Sequence, residues 1–267
     1  MRTALTLLLG ALSLHAQFDY CDQAFLARVR PTVVVAGGSS VTPASVAGLA
    51  AWWNADTLAG TLADGAKVTT WTNAVGGVSL TNSTGANEPL WKANVINGHA
   101  ALRFTNSTYS FLFTCNPQHW LLTNFTMIVI GKYAVDGLLF SSGSAARYWQ
   151  VRARYGNENT FEVWRNNEYY RVYASPALVD SWGMLILGNP NEGYESWGAF
   201  NKATNYTSGN STGRGGISIV GDYLPDRGSH FAMGGDLAEF VVYTNTLSTN
   251  DLVNLYTNYF KGRYSLP

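Results

Sequence analysis

The sequence predicts an all-β protein built from two packed antiparallel sheets or a closed barrel, with one short helix near its C-terminus. Three observations support this prediction. Short runs of β-branched and aromatic residues recur about every dozen residues, separated by Gly, Asn and Asp. The clearest runs alternate apolar and polar residues, as strands with one buried face do. Only one segment, close to the end, carries helical spacing instead.

The N-terminal segment has the features of an export signal. Arg2 precedes an apolar run from Ala4 to Leu14, and Ala16 is the small residue that suits a signal-peptidase cut. The run is shorter than the roughly 20 apolar residues that a transmembrane helix needs. We therefore expect residues 1–16 to be a cleavable signal peptide. The mature chain would be secreted or held at the cell envelope, with no membrane span.

The mature chain is predicted to be a leader followed by one domain. Residues 17–45 include a Gly/Ser/Thr-rich stretch typical of a leader or linker. The predicted domain covers residues 46–267, a size that single all-β domains commonly reach. Cys21 and Cys115 are the two cysteines of the chain. In an exported protein we expect them to form a disulfide, and two free thiols are the alternative.

The charge balance argues against one class of partner. The chain has 17 basic and 17 acidic residues, and only 13% of its residues are charged. Proteins that bind nucleic acid concentrate positive charge to meet the phosphate backbone. We therefore expect no nucleic-acid partner.

Eight runs are the clearest strand predictions. In the run that begins at Trp149, odd positions are apolar or aromatic and even positions are polar, so Arg152 and Arg154 are expected to face solvent or a concave groove. The eight runs are Lys67–Trp71, Ala100–Phe104, Phe125–Lys132, Tyr148–Tyr155, Thr160–Arg165, Trp182–Leu187, Ile217–Gly221 and Leu237–Tyr243.

One amphipathic helix is predicted near the C-terminus. Ser248 and Asp251 form a capping box at its start, and Gly262 is expected to end it. It should pack on the sandwich through apolar residues at three- and four-residue spacing: Leu252, Leu255, Tyr256, Tyr259 and Phe260.

Three parts of the chain carry a resemblance to a known family. They are Gly48–Asp56 with Val68–Trp71, then Ala86–Trp91 with Asn94–Gly98 and Ala101–Phe104, and finally Gly234–Tyr243 with the helix that follows. These segments resemble the laminin-G-like, concanavalin-A-like lectin/glucanase superfamily, in particular its bacterial and phage-associated modules. The resemblance implies a two-sheet antiparallel jelly-roll β-sandwich. It implies function less strongly, because one fold hosts many activities.

The acidic residues do not match the glucanases of that family, which carry a Glu-x-Asp-x-x-Glu strand. Hydrolysis needs two carboxylates roughly 5 to 10 Å apart. The nearest candidates are Glu158 and Glu162, but Thr160 stands where the central acid would be. Asp236 and Glu239 are three residues apart, so a regular strand would place them on opposite faces. We expect no catalytic residues, and an enzyme remains the alternative.

Aromatic and polar residues in two regions suit sugar recognition, in which a ring stacks on an aromatic face and hydroxyls meet polar groups. Core packing is the competing interpretation of each. The candidates are Trp164, Arg165, Tyr194, Trp197 and Asn201.

A loop with two acidic residues is the best candidate for calcium. Asp222 and Asp226 supply carboxylate oxygens of the kind that extracellular Ca²⁺ sites use. Arg227 could instead neutralise Asp226 in an ordinary turn. Ca²⁺ is therefore a weak candidate ligand, and no other cofactor is expected.

These observations favour an exported, non-catalytic β-sandwich module that binds a glycan, a cell-surface polysaccharide or a protein partner. Two alternatives come from other classes. One is a polysaccharide-active hydrolase or lyase of the same fold. The other is a structural or adhesive component of an envelope, an appendage or a virion.

Overall fold

The computed structural model confirms the predicted fold class: an antiparallel jelly-roll β-sandwich with a short C-terminal helix. It describes residues 41–75, 79–82, 87–105, 107, 110, 112–113, 125–135, 137–141, 149–154, 160–165, 168–173, 181–189, 195–200, 203–208, 219–220 and 233–267.

In these residues, sixteen strands form two sheets of eight. The first sheet has the order β14-β13-β12-β7-β16-β5-β4, with β1 also paired to β16. The second has the order β11-β10-β9-β8-β15-β6-β3-β2. The strands are β1 Leu49–Asn54, β2 Thr70–Trp71, β3 Leu80–Thr81, β4 Leu90–Ile96, β5 His99–Phe104, β6 Leu112–Phe113, β7 Phe125–Val135, β8 Gly137–Ser141, β9 Trp149–Arg154, β10 Thr160–Arg165, β11 Glu168–Tyr173, β12 Gly183–Asn189, β13 Glu195–Phe200, β14 Ala203–Ser208, β15 Ile219–Val220 and β16 Gly234–Tyr243.

The first sheet is covered on both faces, and strand β7 shows how its sequence allows this. Met127 and Val129 belong to the core between the two sheets. Ile128 and Ile130 belong to a second core on the opposite face. Since successive residues of a strand point to opposite faces, a strand buried on both sides must be apolar at consecutive positions.

Large aromatic residues fill the core between the sheets. Trp53 of β1 is buried and stacks on Phe240 of β16 with ring centroids 5.2 Å apart. Trp71 is fully buried in the same core. Trp52, the neighbour of Trp53, packs against the second core on the other face of the sheet. Adjacent tryptophans therefore serve two different layers.

The C-terminal helix covers the second core. It comprises an α-helical segment Thr249–Leu255, a π-helical turn Tyr256–Phe260 and a second α-helical segment Lys261–Tyr264. As predicted, the Ser248 hydroxyl accepts a hydrogen bond from the backbone N–H of Asp251 at 3.1 Å. All five predicted apolar residues contact this core.

The predicted end of the helix at Gly262 is wrong. The helix continues through Gly262 and ends at Ser265, which adopts the left-handed conformation with φ 49°. Two 3₁₀ turns, Pro43–Ser45 and Ala55–Leu58, complete the helical elements of the described residues. None of the helices in this part of the chain is long and apolar enough to cross a membrane.

Candidate functional site

Two regions of the sandwich concentrate charged and aromatic residues. The first lies beneath the C-terminal helix and is called the Glu239 cluster; it comprises Trp52, Asp56, His99, Glu239, Tyr259, Arg263 and Tyr264. The second occupies alternate positions of three neighbouring strands of the other sheet and is called the β9–β11 face; it comprises Gln150, Arg152, Arg154, Thr160, Glu162, Trp164, Tyr169, Arg171 and Tyr173.

Glu239 reaches the helix side of its sheet because strand β16 contains a bulge. Leu237 pairs with Gly131 and Glu239 with Ile130, so Ala238 is an extra residue in the register. Leu237 belongs to the core between the sheets, whereas Ala238 packs beneath the helix. Regular alternation would return Glu239 to the core between the sheets. The bulge places it under the helix instead.

The same bulge corrects the expectation for Asp236 and Glu239. Asp236 accepts two hydrogen bonds from Arg103, at 2.7 and 3.0 Å. Arg103 alternates with Leu102 and Phe104, which lie in the core between the sheets, so Arg103 and Asp236 are on the outer face. Asp236 and Glu239 therefore share one face, and Asp236 is bound by Arg103.

Three side chains from distant segments donate hydrogen bonds to Glu239, which is fully buried. The Trp52 indole N–H donates to Oε1 at 2.5 Å, and the Tyr259 hydroxyl donates to the same oxygen at 3.1 Å. The Tyr264 hydroxyl donates to Oε2. Both carboxylate oxygens are thus used inside the protein.

Arg263 links this buried carboxylate to a more accessible one. Its Nη2 donates to Asp56 Oδ2 at 2.5 Å, and its Nε lies 3.8 Å from Glu239 Oε2. Asp56 also accepts from the Ala100 backbone N–H at 2.7 Å and lies 2.6 Å from His99 Nδ1. The Arg263 guanidinium is 5.6 Å from the centre of the Tyr259 ring, within cation–π distance.

Burial is the main cause of the shifted pKa values in the Glu239 cluster. It raises the pKa of Glu239 to about 7, although the hydrogen bond from Tyr264, the charge of Arg263 and the hydrogen bonds from Trp52 and Tyr259 act in the opposite direction. Burial also raises the pKa of Tyr259 and of Tyr264 above their usual range, so both remain protonated donors. Both oxygens of Glu239 therefore have protonated internal donors, while Arg263 Nε has no hydrogen-bond partner among the described residues, and the network joins the helix to the sheet.

The β9–β11 face is defined by register. Strand β10 pairs with β9 on one side and β11 on the other, which produces three rows of three residues. Directly paired residues lie on the same face of an antiparallel sheet. The rows are Gln150–Trp164–Tyr169, Arg152–Glu162–Arg171 and Arg154–Thr160–Tyr173.

The opposite face of the same strands has a different composition. Two of its three rows, Val151–Val163–Tyr170 and Ala153–Phe161–Val172, are almost entirely apolar, and the third row, at the end of the strands, is Trp149–Arg165–Glu168. This division between a polar and an apolar face is what a sheet with one side toward a core requires.

The β9–β11 face is about as large as a disaccharide. Neighbouring strands lie about 4.8 Å apart, and residues i and i+2 of one strand lie about 6.7 Å apart. The nine positions therefore span roughly 10 by 13 Å.

The structure places three of the five candidate sugar-binding residues on strands. Trp164 is on the β9–β11 face, at the centre of its first row. Arg165 follows it in β10 and therefore occupies the opposite face. Trp197 is in β13 of the other sheet, where it pairs with Gly188 and Tyr206. Tyr194 and Asn201 lie outside the described residues.

The predicted disulfide and calcium residues cannot be placed. Cys21 and Cys115, and likewise Asp222 and Asp226, lie outside the described residues, as does Glu158. Within the part of the chain that the structure describes, no group of three or more His, Cys, Asp or Glu could hold a metal ion.

No protein-family model matches the chain, and no curated protein matches it in sequence. Among solved structures, Trypanosoma rangeli sialidase in complex with sialic acid is similar at 12% identity and a TM-score of 0.47, over 92% of this chain and 37% of the sialidase. The Ruminococcus gnavus IT-sialidase CBM40 bound to alpha2,3 sialyllactose is similar at 16% identity and a TM-score of 0.40, over 50% of this chain and 82% of that one. Leech intramolecular trans-sialidase is similar at 16% identity and a TM-score of 0.40, over 49% of this chain and 23% of the enzyme. Similarities of this size assign no family.

Proposed function

We propose that this chain is an exported, laminin-G-like β-sandwich that binds glycans through the β9–β11 face without cleaving them. The observation that carries the proposal is the register of β9, β10 and β11. It brings three aromatic residues, three arginines and three further polar residues onto one face of three adjacent strands.

This combination suits a sugar because a pyranose ring has an apolar face and a rim of hydroxyls. Aromatic rings provide flat apolar surface for the ring. Arginine, glutamine and glutamate side chains offer planar groups that donate or accept two hydrogen bonds at once. In the grid of nine positions, Trp164 lies at the middle of one edge, and Tyr169 and Tyr173 lie at two corners. The row between these aromatic residues contains Arg152, Glu162 and Arg171.

The same face argues against glycoside hydrolysis. Hydrolysis needs two carboxylates on either side of the scissile bond. Among the nine positions of the β9–β11 face, Glu162 is the one acidic residue, and both of its register partners are arginines. Asp236 and Glu239, which share one face of strand β16, are bound by internal donors.

The proposal that the chain is exported rests on the sequence of residues 1–16. The basic Arg2, the apolar run from Ala4 to Leu14 and the small Ala16 form the pattern of a cleavable signal. A secreted location would bring the sandwich into contact with extracellular or cell-surface polysaccharides. N-terminal sequencing of the secreted protein tests this part, and a first residue other than Gln17 would contradict the proposed cut.

A glycan array probed with the secreted mature chain, with and without Ca²⁺, tests the binding proposal. We expect at least one glycan class to bind. Trp164→Ala should then weaken affinity at least about tenfold, the effect expected for loss of a central aromatic contact. Trp197→Ala, which alters a tryptophan of the other sheet, is the matched control and should retain affinity per folded molecule.

Three outcomes would contradict the proposal. A chain that binds no glycan lacks the proposed activity. Equal affinities for the wild type and Trp164→Ala would place binding elsewhere. Release of new reducing ends from a bound polysaccharide would establish the alternative of a hydrolase or lyase, and a Glu162→Gln variant would then show whether Glu162 takes part.

A further inference from the structure

The juxtaposition of Arg152, Arg154 and Arg171 with one acid, Glu162, leads us to infer that the β9–β11 face selects acidic saccharides, with the anionic group held at the row of Arg154. This inference rests on the proposed glycan-binding function and specifies its ligand class. The ligand chemistry it names is a carboxylate or sulfate group attached to a sugar.

The middle row of the β9–β11 face carries part of its positive charge. Glu162 pairs in register with Arg152 on one side and Arg171 on the other. Opposite charges at directly paired positions of an antiparallel sheet attract each other, and like charges repel. The row contains two arginines and one glutamate, so it carries a formal charge of plus one.

The third row adds a charge that has no acidic register partner. Arg154 pairs with Thr160 and Tyr173, both neutral, and it lies two residues from Arg152 on the same face. The nine positions thus carry a formal charge of plus two in a chain whose formal net charge is zero. An anion bound at this row would reduce the repulsion between Arg152 and Arg154.

The residue type indicates the kind of anion. Between residues 140 and 180 every basic residue is an arginine. A guanidinium binds carboxylate or sulfate oxygens through two parallel hydrogen bonds, which a lysine ammonium cannot do. Thr160 adds a hydroxyl and Tyr173 an aromatic ring and a hydroxyl in the same row, which suits a charged sugar better than a free inorganic ion.

The first test compares carboxylated, sulfated and neutral oligosaccharides on one array. We expect binding to acidic glycans, and binding should be lost when the carboxyl is reduced to an alcohol or the sulfate is removed. Binding confined to neutral glycans would overturn this inference and leave the proposed function intact. No binding at all would overturn both. The two acidic classes on the array distinguish a carboxylate ligand from a sulfate ligand.

The second test uses variants with the acidic glycan found in the first. Arg154→Gln should weaken its affinity at least about tenfold, the loss expected for a charge-assisted hydrogen-bonded contact, and should reduce the dependence of affinity on salt. Arg154→Lys should recover only part of the affinity. Lys261→Gln removes one positive charge from an exposed position on the C-terminal helix. It should leave both the affinity for the acidic glycan and its dependence on salt unchanged. Equal affinities for Arg154→Gln and Lys261→Gln would overturn the inference, provided that urea unfolding shows both variants folded.

Discussion

The Glu239 cluster and the β9–β11 face both combine acids, arginines and aromatic residues, but their charges are balanced differently. In the cluster, Glu239 and Asp56 share Arg263, and donors from Trp52 and Tyr264 complete the network. On the β9–β11 face there are three arginines and one acid, Glu162, whose register partners are Arg152 and Arg171.

This difference separates a structural role from a binding role. A buried carboxylate costs several kcal/mol unless it is paired and hydrogen-bonded, so the fold must supply its partners. The cluster meets this requirement with groups from β1, β5, β16, the Ala55–Leu58 turn and the C-terminal helix. An excess of cations on a sheet face needs no such internal partner and can be balanced by a ligand.

The largest expected effect follows from removing the acceptor of the cluster. Glu239→Ala leaves Trp52, Tyr259 and Tyr264 without their shared acceptor and leaves Arg263 with Asp56 alone. We expect the free energy of unfolding to fall by roughly 3–5 kcal/mol, as when one partner of a buried pair is removed. Urea unfolding measures this loss. A loss under about 1 kcal/mol would mean that the network does not hold the helix on the sheet.

Phe161→Ala should produce a similar loss on the apolar side of β10. Phe161 pairs with Ala153 and Val172, in the apolar face opposite Glu162. We expect about 3 kcal/mol of destabilisation from lost burial and a cavity, with unchanged glycan affinity of the folded fraction. Calorimetric titration at a temperature where the variant is folded checks the affinity. Loss of affinity without loss of stability would reverse our assignment of the two faces.

The pH dependence of stability tests the burial of Glu239. Its pKa of about 7 in the folded protein exceeds the ordinary value of 4.5, so the folded protein binds this proton more tightly than the unfolded chain. The contribution is complete below about pH 4.5 and is lost as the pH rises through 7, by roughly 2–3 kcal/mol. Glu239→Gln cannot titrate, so the stability difference between wild type and variant should shift by that amount between about pH 5 and about pH 8. A constant difference would contradict the assignment.

The smallest expected effect tests whether Glu162 weakens the attraction of the face for an acidic ligand or contacts the ligand itself. Glu162→Gln removes the acid that Arg152 and Arg171 share in register. Affinity for an acidic glycan should rise by a factor of roughly 2 to 5, because removal of one negative charge from the face strengthens its attraction for an anion by a modest amount. Calorimetric titration of both proteins measures it. A fall in affinity would show that Glu162 contacts the ligand directly.

The eight predicted runs correspond to eight of the sixteen strands of the described residues, those with a clear local pattern. Alternation located β9 to within one residue at each end, and β10 was predicted with its observed bounds. The capping box located the start of the helix. Strand β14, by contrast, was missed because Ala203–Ser208 consists mostly of small and polar residues, which carry no apolar signal.

The Glu239 cluster could not be predicted because it depends on tertiary contacts. The bulge at Ala238 changes the face of Glu239, and a period-two pattern does not reveal a bulge. Gly262 was expected to end the helix on local propensity. The helix continues through it, at a cost of about 1 kcal/mol, and the next two residues, Arg263 and Tyr264, bind Asp56 and Glu239.

The β9–β11 face was only partly visible in the sequence. Alternation identified Arg152 and Arg154 as residues of the polar face of β9, and composition identified Trp164. Alternation within β10 separates Arg165 from Trp164. The pairing of β10 with β11 supplies the rest, since register places Arg171 and Tyr173 on the same face as Trp164. Register between strands is set by long-range packing and cannot be read from any one strand.

A crystal structure of the mature chain with its tightest-binding glycan tests the central claim most directly. We predict that the glycan lies across β9, β10 and β11, in contact with Trp164, with an acidic group at Arg154. A glycan bound at β13 near Trp197, or at any surface apart from the β9–β11 face, would contradict the claim.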